Sequence, residues 1–269
     1  MKSYRIFYSF LISLSTLHLI ACDAYAARDT SRDQYRHPVQ TITFFGLNPE
    51  MTVVEISPGK GWYTEFLAGY FDGELIAAHF DPSSSSKYRQ NSLKNFRKLL
   101  DSDADLFSNV SIQIFDAGKD KFTVSKESVD AIVTFRNIHG WVRNGKEHSA
   151  FQLFYEALKP NGILGVVQHR ANIGADTTGS TGYVSEKHVI SVAEKAGFFL
   201  EAKSEINANP KDTKNYEKGV WTLPPSLRLG DRDKERYMAI GESDRMTLKF
   251  RKPDLSSISQ TSRLTRGMQ

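Results

Sequence analysis

The 269-residue chain holds one cysteine, Cys22, and it falls inside a leader-like segment. No internal disulfide can form, and the domain that follows has neither a cysteine nucleophile nor a thiolate metal site. The seven histidines are scattered without H-x-x-x-H spacing, so there is no zinc signature and no structural metal is expected. Charge of one sign is scarce as well. With 35 basic and 31 acidic residues the net charge is only +4, and no dense Lys/Arg block is present, so no nucleic-acid partner is expected. Long apolar runs are also missing, since the stretch over 7–21 is too short for a comfortable membrane span.

Residues 1–26 stand apart. Lys2 and Arg5 make a basic start, the apolar stretch follows, and Ala24-Tyr25-Ala26 is a small-residue cleavage site, so the segment reads as an export signal. Leu19-Ile20-Ala21-Cys22 also fits a bacterial lipoprotein box, with cleavage before a lipidated Cys22 that tethers the chain to a membrane. The other reading is a cut after Ala26 that discards Cys22. Either way the protein is expected to be exported, periplasmic or anchored on the periplasmic side.

What the sequence does have is rhythm. Strand-like apolar runs lie over 52–56, 74–80, 110–115, 129–135, 163–167 and 198–206, and Met246, Leu248 and Phe250 alternate in a last one. Helical spacing lies between them, over 62–71, 86–100, 148–158 and 185–196, and Lys159-Pro160-Asn161-Gly162 is a stop signal. This alternation predicts an α/β, doubly wound, mostly parallel sheet with a last antiparallel strand, occupying residues 27–252. The early stretch "RDQYRHPVQTITFF" is expected to be a helix near the site. Residues 207–244 break the rhythm. They follow a strand whose carboxyl end faces the ligand side, so this insertion is expected to cover the ligand mouth. Residues 253–269 read as a polar, disordered tail.

The stretch "VVEISPGKGWYTEFL" supplies strand, carboxylate, glycine turn and helix start in sequence. In a doubly wound sheet, ligands bind beyond the carboxyl ends of the strands, where glycines admit them to the backbone. A dinucleotide site needs a third glycine, but Thr64 stands there, and Lys60 is followed by Gly61 rather than completing a P-loop. Glu55 just before the turn suits a ligand with a positively charged amino group.

These residues resemble motif I of the class I S-adenosylmethionine-dependent methyltransferases. With "AAHFDP", "FRNIHGW", "LKPNGILGVVQHR", "SEINANPKDTK", "GVWTLPPSLR" and "RYMAIGESDRMTLKF", the chain is similar to a bacterial family of predicted methyltransferases carrying export signals. The resemblance implies a Rossmann-like fold and S-adenosyl-L-methionine as cofactor. It places Glu55, Ser57, Gly59 and Gly61 at the methionine end, with Arg136 beside them, and Asp116 opposite the adenine amino group. Two positions depart from the pattern. Ser57 replaces the first glycine. His79 stands where an acidic residue normally grips the ribose, and an imidazole cannot accept from two hydroxyls as a carboxylate does; Asp81, two residues on, is assigned that role, with one hydrogen bond from His79.

The acceptor is expected to be a small molecule at the end of the fourth strand, where "TFRNIHGW" presents Arg136, Asn137, His139 and Trp141. Asn137 and His139 share one face if the chain stays extended, and His139 is the candidate base, with Asn137 orienting acceptor or cofactor. His139 also reads as a loop residue. His169 is a second candidate base, and Arg136 and Arg170 are candidates for an anionic substrate. A different class of function stays open, that of an exported ligand-binding protein that keeps the fold without catalysis.

Overall fold

The computed structural model describes residues 28–175 and 178–254. The leader with Cys22, and the tail beyond residue 254, lie outside the described residues. A 3-10 turn (Thr30–Arg32) opens the description, followed by α1 (Asp33–Arg36) and α2 (Pro38–Phe45). The expected single helix is therefore divided. Pro38 disfavours the helical region for the residue before it, and His37 takes a left-handed backbone with φ 39°.

Next come β1 (Val53–Ile56), α3 (Trp62–Ala68), β2 (Leu75–His79), α4 (Lys87–Ser102), β3 (Val110–Asp116) and the short β4 (Lys121–Phe122). Then β5 (Val129–Phe135), α5 (Ile138–Arg143), α6 (Glu147–Ala157), β6 (Leu158–His169), α7 (Glu186–Lys195), β7 (Phe199–Ser204), α8 (Lys234–Ile240) and β8 (Arg245–Arg251) complete the order. The stop signal after α6 ends the helix but opens no separate loop, because β6 begins at Leu158 and carries Asn161 at φ 63° within it.

All eight strands form one sheet in the order β4-β3-β2-β1-β5-β6-β8-β7. The pairs among β3, β2, β1, β5 and β6 are parallel, while β8 runs antiparallel to both neighbours and β4 antiparallel to β3. Strand order reverses between β1 and β5, which puts the ligand crevice beyond their carboxyl ends.

Alternation along the strands feeds two cores. Val53, Leu75, Ala131 and Val133 face α2 and α3, where Ile42, Phe45, Phe66 and Leu67 pack. Val54, Ile76, Ile132 and Leu164 face α6 and α7, where Phe151, Phe154, Val189 and Val192 pack. β1 and β2 are buried along their whole length, which is why they read as mostly apolar runs in the sequence, with Glu55 and His79 the polar exceptions.

Candidate functional site

Two cavities, of about 340 and 400 Å³, open beyond the carboxyl ends of the central strands, and Ser57 lines both. The first is bounded by the glycine turn, the ends of β5 and β6, the N-terminal turn, and residues from the 207–244 segment including Val220, Trp221 and Glu242. The second is bounded by Phe80, Arg89, Phe115, Asp116, Gly118 and Trp141 among others.

The turn after β1 is built from left-handed backbone. Ser57, Gly59 and Gly61 have φ of 50°, 65° and 83°. Ser57 thus takes up the conformation a glycine would hold at lower cost, and its N–H donates to Ala78 O at 2.8 Å. A Cβ on Gly61 would run into Leu99, whereas one on Gly59 would meet nothing within 4 Å. Gly59 therefore leaves open a cradle that a side chain would partly fill. Glu55 is buried and accepts from Thr64 Oγ1 at 2.6 Å. Burial pushes its carboxyl up to about 7, against the pull of Thr64, Arg136 and Arg36.

The ribose assignment finds a different arrangement. β2 ends at His79, whose ring turns into the core, 5.1 Å from Phe96, while its Nδ1 accepts from Phe80 N–H at 2.8 Å. Burial holds its pKa down at about 4. Asp81 lies past the strand end, so the alternation that would bring it to the same face does not reach it. Its carboxylate accepts from Lys121 Nζ at 2.8 Å and from Ser83 Oγ at 2.6 Å, and these hydrogen bonds hold its pKa far below the usual range. Neither His79 nor Asp81 lines either cavity. Asp116 does line the second, with one oxygen on Gly118 N–H at 3.0 Å and the other on Arg89 Nη1 at 2.7 Å.

At the end of β5 the chain leaves the extended state at once. Arg136 has φ 65°, and Asn137 is already helical as the residue before α5. Asn137 and His139 therefore do not share a strand face, although both line the first cavity. Asn137 Nδ2 donates to Ile56 O at 2.7 Å and tethers the end of β5 to β1. The His139 ring lies 5.9 Å from His169 and 5.7 Å from Trp221, and its buried Nδ1 has no hydrogen-bond partner. Burial first, and Arg143 next, lower its pKa to about 4, well below the ordinary histidine value. Burial, and then Arg245, also hold His169 well below the ordinary histidine value, and its Nδ1 lies 2.5 Å from Ser243 Oγ. Trp141 packs between Phe115 and Phe154 at the wall of the second cavity. Tyr216 and Tyr237 pair with each other at 5.9 Å and line neither cavity.

One feature of the first cavity is missing from the sequence reading. Arg32, Arg36, Arg136 and Arg245 all converge on Glu242. Burial alone would raise the Glu242 carboxyl, but the guanidinium groups, Arg245 foremost, outweigh it and hold it at about 2. Only Arg136 had a signal in the sequence, through its place at the end of a buried strand.

No protein-family model and no curated protein matches the chain. Solved structures do. The [4+2]-cyclase SpnF aligns at TM-score 0.60 and 15% identity over 85% of this chain and 83% of its own. A SAM-dependent methyltransferase from Aquifex aeolicus aligns at 0.55 and 17% over 71% of this chain and 94% of its own. A geranyl diphosphate methyltransferase in complex with SAM aligns at 0.55 and 11% over 80% and 85%. At this identity the likeness is one of fold, and the fold is that of the class I S-adenosylmethionine-dependent methyltransferases.

Proposed function

We propose that this chain is an S-adenosylmethionine-dependent methyltransferase acting on a small-molecule acceptor. The observation that carries this reading is the pair of cavities meeting at Ser57 across the point where strand order reverses. Together they offer an elongated site with a carboxylate in each half, Glu55 in one and Asp116 in the other. The open cradle at Gly59 fits a ligand that lies against backbone.

When bound, S-adenosylmethionine supplies a methyl group on a positively charged sulfur. Glu55 would accept from its ammonium group and Asp116 from its adenine amino group. Asn137 holds the end of β5 against β1 and so positions the neighbouring side chains. His139 lines the first cavity as a neutral imidazole and is the candidate to take a proton from the acceptor. Trp221 and Val220 add apolar surface to the cavity wall. Calorimetric titration with S-adenosylhomocysteine tests the binding half of the proposal, and a radiolabelled methyl-transfer screen tests the catalytic half. A folded protein that binds neither form of the cofactor would sink it.

A second reading has one observation in its favour. No carboxylate stands where the ribose hydroxyls would be gripped, since His79 is turned inward and Asp81 is paired with Lys121. An exported ligand-binding protein on this fold fits that arrangement, and cofactor binding without methyl transfer to any acceptor would support it. Export and the choice between Cys22 lipidation and cleavage after Ala26 are part of the proposal too. Intact-mass analysis decides them, with an N-terminus at Ala27 rejecting the lipoprotein and full-length cytosolic protein rejecting both.

A further inference from the structure

We propose that the arginine cluster of the first cavity is an anion site, and that the methyl acceptor carries a carboxylate or phosphate group bound there. The inference rests on the methyltransferase reading above. Glu242 lies 2.5 Å from Arg32 Nε, 3.6 Å from Arg36 Nε and 3.9 Å from Arg136 Nη1, and is in direct contact with Arg245 Nη2. Four cations thus share one carboxylate. Arg36 and Arg245 are each only 2% exposed, yet Arg36 Nε, Arg36 Nη1 and Arg245 Nε have no hydrogen-bond partner.

A purely structural knot is built differently, and the molecule contains one for comparison. Arg170, outside the cavity, meets the carboxylates of Asp244, Glu205 and Glu186, which also hold Lys203 and Lys214, so that three cations share three carboxylates. Buried cations without counter-charge destabilise a fold, so a cluster with surplus guanidinium groups facing a cavity is accounted for by an anion that enters it. The same burial and crowding lower the guanidinium pKa values. Burial first, then Arg136, lowers Arg36 to about 8, and burial and Arg245 lower Arg136 to about 10. The methionyl carboxylate of the cofactor is one candidate occupant. A single carboxylate still leaves cations in excess, which is the reason for assigning an anionic group to the acceptor as well.

Inorganic phosphate is the probe, titrated calorimetrically into the purified protein with and without saturating S-adenosylhomocysteine. The expected result is saturable binding in both states, weakened at least about tenfold in Arg136→Gln and in the less buried Arg32→Gln, as the loss of a charge-assisted contact requires. Arg97→Gln, on the exposed face of α4, should bind as wild type does. If Arg136→Gln fails to fold, Arg32→Gln and the wild-type titrations still decide. No saturable binding in either state, or equal weakening in Arg97→Gln, overturns the proposal. So does phosphate binding that disappears when S-adenosylhomocysteine is present, because the cluster is then the cofactor's own carboxylate site. Failure of S-adenosylhomocysteine to bind while phosphate still does would instead sink the methyltransferase reading, and with it the assignment to a methyl acceptor, so the two failures are told apart.

Discussion

The two cavities share Ser57 but differ in how their charges are balanced. In the second, the Asp116 carboxylate is paired with the Arg89 guanidinium at 2.7 Å among the rings of Phe80, Phe115 and Trp141, with Lys146 also on the wall. In the first, arginines outnumber carboxylates, histidines are held neutral, and donors go without partners. A ring-lined cavity whose one carboxylate is already paired suits a ligand of fixed shape, with little cost when empty. A cavity with buried, unpartnered guanidinium donors is costly when empty and relieved by the right charge, so the proposed chemistry and selectivity are assigned to the first cavity.

The comparison breaks most completely at the turn the cavities share. Gly59→Val should abolish S-adenosylhomocysteine binding, because φ 65° is closed to a β-branched residue and the added carbons enter the cradle. Calorimetry on a variant shown by circular dichroism to be folded checks this, and unchanged affinity would remove the basis of the site. His139→Ala should slow methyl transfer by at least about 100-fold, the lower range for losing a general base, while cofactor affinity stays the same. A near-normal rate would make His139 a packing residue. Asp116→Asn should weaken S-adenosylhomocysteine about tenfold, the cost of one charge-assisted hydrogen bond, with little change in phosphate binding. An equal loss in both titrations would mean that the cavities are not separate in function.

The neutral histidines give a pH signature. His79, His139 and His169 have folded pKa values below the unfolded value of about 6.5, so below that pH the unfolded chain takes up more protons than the fold does. Stability should be fully present above pH 6.5 and fall as pH drops toward about 4. Glu55, raised to about 7, acts in the opposite direction below that value, and Glu65 and Asp212, raised by burial from their ordinary carboxyl values, join it at the acid end of the range. Urea midpoints at pH 7, 6 and 5 should therefore decrease in order, and a flat series would count against the histidine environments. The smallest effect belongs to Asp81→Asn. With its carboxylate committed to Lys121 and Ser83, S-adenosylhomocysteine affinity should change less than about twofold, whereas a tenfold loss would restore Asp81 to the ribose.

Much of the scaffold was legible because β1, β2 and β5 are buried on both faces and therefore read as mostly apolar runs, Glu55 and Asp130 apart. Val129–Phe135 has the bounds that the sequence predicts. The glycine turn was legible because left-handed backbone favours glycine. Where a non-glycine residue adopts that backbone, the signal disappears. Arg136 at φ 65° ends β5 and starts α5 with no mark in the sequence, and His37 divides the first helix only through the proline behind it. The placement of His79 and Asp81 depended on where β2 stops, and a strand end is set by the packing around it. Of the arginine cluster only Arg136 was legible, since its members come from three distant segments and no local spacing relates them.

Glu242 has a consequence for the order of events in folding. It joins Arg32 across 210 residues of chain and also bonds Arg245, at the first residue of the strand that completes the sheet. Until that strand is placed, the N-terminal arginines and the one at the end of β5 lack the carboxylate they share. Contacts of such long range are slow to form, because the cost of loop closure comes before their reward. The first cavity is complete only when both ends of the domain are in place, and binding there is expected to report that the whole domain is assembled.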